Sequence, residues 1–245
     1  MHPDLAKLHD SLLIAPTNGP VIGKRGLLLR GITREIHRRF YVSSGIAKRR
    51  KDRSSLVIGN RVHRELRQIC ENGSVMNPHP WTLNALFTLA RSRLHMVASE
   101  VPVSWQSLGT RIDLIAQPNF RDKDLILVSV KTGKRRPSKR NSVFLPAPLD
   151  FLRASDQTMD DVQVAAELGL ARKGHDVVFA RAVILEVPEG RLREASQWTG
   201  EVTWQDKLLN ELNLADKKKD DTSFSGQSSE ANSRCLDDHV SRLVD

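Results

Sequence analysis

An aspartate and a lysine lie in two apolar segments that the sequence predicts to be neighbouring strands. Asp113 is inside Gly109-Thr-Arg-Ile-Asp113-Leu-Ile, and Lys131 ends Leu127-Val-Ser-Val-Lys131-Thr-Gly133. Adjacent antiparallel strands can bring two such side chains within a few ångströms of each other. A carboxylate in an apolar strand is unfavourable unless it is paired or binds a metal. Two interpretations satisfy this requirement: a buried Asp113–Lys131 salt bridge, or a phosphodiesterase site in which a carboxylate holds Mg²⁺ and a lysine serves the attacking water.

Two predicted helices carry further polar residues that suit such a site. A helix over residues 56–71 contains His63 in Gly59-Asn-Arg-Val-His63, and a helix over Met159–Lys173 contains Gln163. A neutral imidazole nitrogen is a common metal ligand. A helical histidine without further ligands is more often an ordinary surface or core residue. Taken from the residues alone, both roles stay open for His63.

The apolar periodicity predicts the elements that must position these residues. It changes from a helical period to a strand period after residue 95 and returns to a helical period before residue 160. The order helix, three strands, helix, strand predicts an α/β (α+β) fold with a central mixed β-sheet flanked by helices. The predicted helices cover Asp4–Leu13, Gly31–Phe40, 56–71, Thr82–His95, Met159–Lys173 and Trp198–Leu214, and the predicted strands cover Val101–Trp105, Arg111–Ala116, Asp124–Val130 and Val177–Val187.

The four motifs resemble those of the RecB-like, lambda-exonuclease-like branch of the PD-(D/E)XK nuclease superfamily. That family has a helix with Gly-x-x-x-His, a strand in which Gly precedes an Ile/Val-Asp pair, a strand ending in Asp/Glu-x-Lys-Thr-Gly, and a helix with Gln. All four occur here in this order over residues 57–187. The resemblance implies a restriction-endonuclease-like core and Mg²⁺- or Mn²⁺-dependent hydrolysis of DNA in replication, repair, recombination, or the processing of viral or mobile-element DNA.

The resemblance also implies a role for each matching residue. His63 and Asp113 would be metal ligands, and the backbone carbonyl of Val130 would complete the shell. Lys131 would be the catalytic lysine, with Asp113 and Gln163 beside it, and Gln163 would orient Lys131 or a substrate phosphate. No other cofactor and no iron–sulfur centre is expected.

One position departs from the family pattern. The family has an acid two residues before the lysine, and this chain has Ser129. Because Mg²⁺ prefers carboxylate oxygen, three explanations compete. Glu167 or Glu65 supplies the acid, Ser129 binds the metal through water at a weaker or Mn²⁺-preferring site, or the site is inactive and the protein is a nucleic-acid-binding or assembly factor. Glu100 resembles an acid often found before the first strand, and a structural salt bridge explains it equally well.

The charge distribution indicates a polyanionic partner. The formal net charge is +9 and the pI is about 9.9. Residues 24–67 contain fourteen Lys/Arg against three acids, and a second basic cluster covers residues 131–140. Such clusters are typical of nucleic-acid binding, while a solvated basic face or an anionic lipid surface is the alternative. The residues expected to contact nucleic acid are Arg61, Arg64, Lys134, Arg135 and Arg136.

The composition narrows the partner and the compartment. DNA is favoured over RNA, with an RNA nuclease such as a viral cap-snatching domain as the lesser alternative, and protein partners in a DNA-processing complex are a further expectation. One Tyr and seven Phe argue against extensive base stacking. No apolar run is long enough to cross a membrane. Two distant cysteines give neither a zinc spacing nor a disulfide framework, which suits a reducing intracellular compartment.

The predicted organisation has three parts. Residues 1–55 are expected to form a basic N-terminal arm with a helix, residues 56–214 the nuclease-like core, and residues 215–245 a weakly ordered or disordered tail. The last expectation follows from composition, since Lys-Lys-Lys-Asp-Asp and a Ser-rich stretch offer little apolar surface to bury.

Overall fold

Apart from two short strands at residues 30–31 and 191–194, which the sequence did not predict, helices and strands follow one another in the predicted order. The computed structural model describes residues 2–9, 21–23, 26–42, 53–119, 123–133 and 143–214. Its helices are α1 (Pro3–His9), α2 (Ile32–Ile36), α3 (Arg53–Asn72), α4 (Pro80–Arg91), α5 (Asp156–His175) and α6 (Val202–Leu214). Its strands are β1 (Arg30–Gly31), β2 (His95–Trp105), β3 (Leu108–Gln117), β4 (Ile126–Lys131), β5 (Arg181–Glu186) and β6 (Arg191–Glu194).

Within the described residues, these strands form one mixed six-stranded sheet flanked by helices, which confirms the predicted fold class. Strands β2, β3 and β4 pair antiparallel in sequence, β5 adds to β4 in parallel, and β6 returns antiparallel to β5. The parallel β4–β5 pair requires a long crossover connection, and α5 provides it. In sequence, α5 therefore follows β4, which ends at Lys131, and precedes β5, the parallel neighbour of β4.

Strands β3 and β4 separate before they reach the end of β4. Their pairing covers Leu114↔Val128, Ile115↔Leu127 and Ala116↔Ile126. The short strand β1 pairs instead with the first residues of β3, Leu108 and Gly109. Since β2 occupies the other edge of β3 along nearly its whole length, β3 and β4 leave a fork between residues 109 and 114.

Apolar residues of β3 and β4 alternate between two cores, as the strand period requires. Ile115 and Leu127 belong to the core that contains α5, whereas Leu114 and Val128 belong to the core that contains α3 and α4. The predicted amphipathic pattern near residues 31–40 is confirmed, because its apolar positions are fully buried in the α5 core: Ile32, Ile36 and Phe40. A π-helical segment, His37–Val42, continues α2 and places Phe40 there.

Three details of the predicted elements are wrong. The eleven-residue strand predicted over Val177–Val187 is only β5, six residues long. The buried face of α4 is formed by Thr82, Ala85, Thr88 and Leu89, whereas Leu83 and Ala90, which were predicted to face inward, are exposed. Val57 on α3 is likewise 67% exposed. The other inward positions predicted on these helices include Leu86, which packs against the core, and Leu89, Val62 and Leu66, which are buried, so periodicity selected the correct side but made it too wide.

No helix in the described part of the chain is long and apolar enough to span a membrane. The described residues up to Asn213 belong to one compact unit, and of the second unit, 214–245, only Leu214 is described. The assignment of residues 1–55 and 215–245 to an arm and a tail stays a prediction.

Candidate metal centre and active site

Asp113 occupies the fork between β3 and β4. The backbone N–H of Val130 donates to Oδ2 of Asp113 at 2.7 Å, in place of the strand pairing that ends at Leu114, and the Ser129 hydroxyl lies 3.5 Å from the same oxygen. Because the N–H and C=O of one residue point to the same side of an extended strand, the Val130 carbonyl also faces the fork. The backbone of β4 therefore fixes one oxygen of Asp113 and leaves the other to face α3.

His63 reaches the second oxygen of Asp113 from α3. Its Nδ1 lies 3.6 Å from Oδ1 of Asp113 and 3.3 Å from Oε1 of Glu100. One ligand atom from each of these three residues lies within 4.8 Å of the others. An imidazole nitrogen with two carboxylates is a donor set that Mn²⁺, Mg²⁺ or Zn²⁺ accepts. The side chains remain 15–29% exposed, so the cluster is accessible from solvent.

Glu100 reaches this cluster through an unusual backbone conformation. Strands β2 and β3 pair at Ser99↔Leu114 and at Val101↔Ile112, which places Glu100 opposite Asp113. Glu100 itself has φ of +50°, a left-handed value for a residue with a side chain. Such a conformation costs on the order of 1 kcal/mol and is enriched at functional sites. The sequence left two interpretations of Glu100 open, and the structure brings its carboxylate to His63.

Gly59 allows α3 to approach the end of β4 closely. A Cβ atom at this position would lie 2.6 Å from Oγ1 of Thr132, which is far inside ordinary contact distance. Thr132 directly follows Lys131. The spacing in Gly59-x-x-x-His63 therefore has a physical reason in this chain: the glycine lets the helix lie against β4, and one turn later the helix presents the imidazole to Asp113.

Lys131 is held by a relay of side chains from α5. Its Nζ donates to Oε1 of Gln163 at 3.0 Å, and Nε2 of Gln163 donates to Oε1 of Glu167 at 2.7 Å. Nζ also lies 3.8 Å from Oδ1 of Asp160. Gln163 and Glu167 are four residues apart, the spacing at which helical side chains meet. Among the described residues, no ion pair joins Lys131 to Asp113. The Asp113–Lys131 salt bridge that the sequence allowed is therefore not formed: Asp113 lies beside His63, and Lys131 lies beside Asp160.

Glu167 is a buried ionisable group that lacks a hydrogen-bond donor for one of its two oxygens. Its side chain is fully buried, and Oε2 has no hydrogen-bond partner among the described residues. Burial, together with the negative charges of Asp113 and Asp160, raises the pKa of Glu167 to about 8 against the opposing effects of Lys131 and Gln163. Ser129, which stands where the family has an acid, is also fully buried. Glu167 is thus a buried carboxyl group whose pKa is set by the groups of this same site.

The charge state of His63 depends on the same carboxylates. Burial by itself lowers the pKa of His63, but the charges of Asp113 and Glu100 and the hydrogen bond to Glu100 outweigh burial, and the pKa is raised overall. Lys131 opposes the increase. Two acids are therefore close enough to favour a positive charge on the imidazole, which is the charge that a bound cation would replace.

Glu65, the other acid considered as a substitute at Ser129, faces α4 instead. It accepts hydrogen bonds from Arg61 Nε at 2.6 Å, from the backbone N–H of His79 at 2.8 Å and from Thr82 Oγ1 at 2.6 Å. Both carboxylate oxygens are engaged there. This leaves Glu167 as the buried glutamate beside Lys131 and Gln163.

The residues predicted to contact nucleic acid have separate outcomes. Arg61 is committed to Glu65 and also donates to the carbonyl of Asn77 at 3.3 Å. Arg64 lies exposed on α3, next to His63. Lys134, Arg135 and Arg136 lie outside the described residues.

No protein-family model matches this sequence, and no curated protein is significantly similar to it. A functional assignment must therefore come from the side chains themselves.

Proposed function

We propose that this protein is a divalent-cation-dependent nuclease that hydrolyses phosphodiester bonds, with DNA as the favoured substrate. The observation that supports the proposal most is that two separate groups of side chains meet at the end of β4, where Asp113 accepts from the Val130 N–H and Lys131 is the next residue. One is the His63–Glu100–Asp113 cluster, and the other is the Lys131–Gln163–Glu167 relay. A metal ligand set next to an oriented ammonium group suits the attack of water on a phosphate ester.

The donor set fits Mg²⁺ or Mn²⁺. His63, Glu100 and Asp113 would hold the ion, with the Val130 carbonyl on the same side of β4. The ion would supply Lewis acidity toward a phosphoryl oxygen. The hydrogen bond from the Val130 N–H holds Asp113 in one orientation, so that little rearrangement is needed to accept a cation.

Lys131 has the second role, and the α5 relay prepares it. Its ammonium group donates to the attacking water or to a nonbridging phosphate oxygen, while Gln163 and Asp160 fix its direction. A lysine side chain has several rotatable bonds, so the relay removes conformational freedom before the substrate binds.

We further propose that Glu167 compensates for the acid that is missing at Ser129. One of its oxygens supports Gln163, and the other has no partner among the described residues. A buried carboxylate oxygen of this kind is stabilised either by a proton or by a cation. This supports the explanation in which the carboxylate has moved from β4 to α5 over the one in which the site is inactive.

The test is a cleavage assay on labelled single-stranded DNA, double-stranded DNA and RNA with Mn²⁺ and with Mg²⁺. The wild type should cleave, Lys131→Ala should be slower by roughly 10²- to 10⁴-fold, and Asp113→Asn should lose activity. Lys123→Ala is the matched control, because Lys123 is an exposed lysine just before β4. Undiminished cleavage by Lys131→Ala would exclude the proposed site. Preferential cleavage of RNA would make RNA, and not DNA, the substrate.

A second candidate function is nucleic-acid binding without cleavage, and Ser129 is the observation that favours it. A hydroxyl in place of a carboxylate removes a negative charge from the ligand set. Calorimetric titration with Mn²⁺ separates the two candidates. A catalytic protein should bind the ion and lose that binding in Asp113→Asn, whereas a protein that only binds DNA should give no heat with Mn²⁺ and should leave every labelled strand intact.

A further inference from the structure

Three aromatic rings lie together where the segment 143–154 meets the 3-10 helix Gln197–Gly200 and α6, and a fourth, Phe144, lies in the same segment. The Phe151 ring lies 4.5 Å from the Trp204 ring and 5.8 Å from the Trp198 ring, measured between centroids. Phe144 pairs through its backbone with Arg153, two residues beyond Phe151. We call the group formed by Phe144, Phe151, Arg153, Trp198, Trp204 and Lys207 the aromatic surface.

The rings of the aromatic surface lie at the protein surface, although Trp198 also packs against the buried core that contains α5. Phe144 is 49% exposed and Phe151 is 43% exposed, and both tryptophans are partly exposed. Large aromatic rings are usually buried in a folded protein, so a group of exposed rings indicates a binding surface. The sequence has only one Tyr and seven Phe, which argued against extensive stacking, but the fold concentrates two of the seven Phe and two of the four Trp in one place.

Positive charges lie directly over these rings. The guanidinium carbon of Arg153 is 5.5 Å from the centroid of the Phe144 ring, and Nζ of Lys207 is 4.4 Å from that of Trp204. Neither cation forms an ion pair with a carboxylate in the part of the chain that the structure describes. Two of the four rings, Phe144 and Trp204, are thus accompanied by a charge that is available to an anion.

The aromatic surface is connected to the proposed centre by a short and fixed piece of chain. Ser155, two residues after Arg153, caps the N-terminus of α5, and the Tyr41 hydroxyl donates to its carbonyl at 3.1 Å. Asp160, one turn into α5, lies 3.8 Å from Nζ of Lys131. At about 1.5 Å per helical residue and at most about 3.5 Å per extended residue, Arg153 is within roughly 16 Å of Asp160 along the chain. A strand bound at the centre needs only a few nucleotides to reach the aromatic surface.

We propose that the aromatic surface binds the unpaired bases of a single-stranded nucleic acid. Bases stack on exposed aromatic faces without regard to sequence, and the adjacent cations neutralise the phosphates between them. A duplex keeps its bases stacked on one another and offers no free faces to Phe144 or Phe151. The proposal rests on the proposed function for the path of the strand into the metal centre, but the binding itself requires no metal.

The test measures binding in the presence of EDTA, so that cleavage does not contribute. The probes are a fluorescein-labelled oligothymidylate, an oligouridylate of equal length and a hairpin duplex. Phe144→Ala should weaken binding of the oligothymidylate by about tenfold and leave the duplex affinity unchanged. Phe87→Ala is the matched control, because Phe87 is 71% exposed on α4, and it should change neither affinity. Equal losses in Phe144→Ala and Phe87→Ala, or equal losses for single strand and duplex, would overturn the proposal.

Three further variants keep the test decisive if alanine disturbs the fold. Phe151→Leu retains an apolar side chain against Trp204 but cannot stack, and it should weaken single-strand binding like Phe144→Ala. Lys207→Gln should reduce the slope of log affinity against log salt by about 0.7 for a single strand. Tryptophan fluorescence should be quenched by the oligothymidylate in the wild type and much less in Trp204→Phe. The proposal would be contradicted if Lys207→Gln left the salt slope unchanged, or if Trp204→Phe left the fluorescence quench unchanged.

The outcomes for this proposal and for the nuclease are distinguishable. Loss of cleavage in Lys131→Ala with unchanged oligothymidylate binding would support both assignments. Binding that depends on Phe144 in a protein that takes up no Mn²⁺ would retain the aromatic surface and exclude the nuclease. Equal affinity for oligouridylate would show that the surface accepts single strands of either sugar.

Discussion

Glu65 and Glu167 are both buried glutamates on long helices beside the sheet, but their surroundings are opposite. Glu65 accepts hydrogen bonds from Arg61, His79 and Thr82. Burial alone would raise the pKa of Glu65, but these donors outweigh it and the pKa is lowered. Glu167 has one hydrogen bond from Gln163, one oxygen without a partner among the described residues, and a pKa raised to about 8 by burial and by Asp113.

The difference separates a structural acid from a functional candidate. Burial does not distinguish the two residues, and neither does their position on a helix. What differs is whether the surrounding donors already compensate the charge. Around Glu65 compensation is complete, so nothing further is required. Around Glu167, Asp113 and Glu100, acids are gathered with few donors, and an added cation would stabilise the folded protein.

The largest effect that we expect is from Glu65→Gln. The amide would place an N–H₂ group among the donors of His79, Thr82 and Arg61, so the free energy of unfolding should fall by about 2–3 kcal/mol at neutral pH. Since the pKa of Glu65 is lowered in the folded protein, its stabilisation is present above the ordinary glutamate pKa and is lost as the pH falls below it. Urea unfolding at several pH values measures both effects.

Glu71→Gln is the control for this first prediction. Glu71 pairs with Arg67 on the same helix with the same spacing that joins Glu65 to Arg61, but Glu71 is exposed. An exposed pair of this kind contributes at most about 0.5 kcal/mol. If the two substitutions destabilise the protein equally, the hydrogen-bond network around Glu65 has no special role and the comparison with Glu167 fails.

The next effect has the opposite sign and concerns Glu167→Gln in the metal-free protein. The folded pKa of about 8 lies above the unfolded value of 4.5, so the wild type loses stability as the pH rises from 4.5 to 8. Glutamine does not titrate and should remove this loss. We expect Glu167→Gln to be more stable than the wild type near pH 8, with little difference near pH 5. Urea unfolding in EDTA measures it, and destabilisation of equal size at both pH values would contradict it.

The contrast between the two glutamates shows what the sequence can and cannot predict. The order of elements was predictable, because period changes near residues 95 and 160 follow from which side chains face a core. Asp113 and Lys131 stood out because a charge in an apolar strand needs a partner, and the structure places Asp113 beside His63 and Lys131 beside Gln163. The environment of Glu65 was not, because Thr82 comes from another helix, seventeen residues away.

The positions that sequence reasoning missed depend on tertiary contacts or on backbone conformation. Glu100 was left with two interpretations, because no pattern signals a positive φ in the middle of a strand. The inward face of α4 was only partly correct: Leu89 is buried, but Leu83, which is equally apolar, is 39% exposed. Gly59 carried a usable signal: a glycine in the interior of a predicted helix indicates close packing, and here the neighbour is Thr132.

A smaller effect, on Mn²⁺ affinity, is expected when the acid is removed from Glu167 on α5 and placed at Ser129 on β4. Glu167→Gln should weaken Mn²⁺ binding by about tenfold, because it removes a carboxylate from the environment of the cation. Adding Ser129→Asp in the same protein should restore most of the affinity, since it places an acid beside Asp113, where the hydroxyl lies now. Calorimetric titration measures both variants, and Glu71→Gln again serves as the control.

The result of this exchange sharpens the comparison whichever way it falls. Restoration in the double variant would identify Glu167 as a migrated ligand. An unchanged Mn²⁺ affinity in Glu167→Gln would exclude ligation and leave Glu167 only the positioning of Gln163 and Lys131. That role predicts slower cleavage without weaker metal binding, so the two readouts must be taken on the same preparations.

The smallest effect is expected at His63, two residues before Glu65 on the same helix. The pKa of His63 is raised because Asp113 and Glu100 together outweigh burial and the repulsion of Lys131. Glu100→Gln removes one of the two acids, so the pKa of His63 should fall, and proton NMR of the imidazole across the titration measures this fall.

The same substitution should change how stability depends on pH. Because its folded pKa is raised, His63 stabilises the metal-free protein at low pH and loses this contribution as the pH rises through the folded value. Glu100→Gln should shift that loss to lower pH. The matched control is Glu71→Gln, whose carboxylate interacts with Arg67 rather than with the imidazole. A His63 titration that does not respond to Glu100→Gln would mean that Glu100 is not part of the cluster, and Asp113 would then be the only carboxylate from the sheet beside His63.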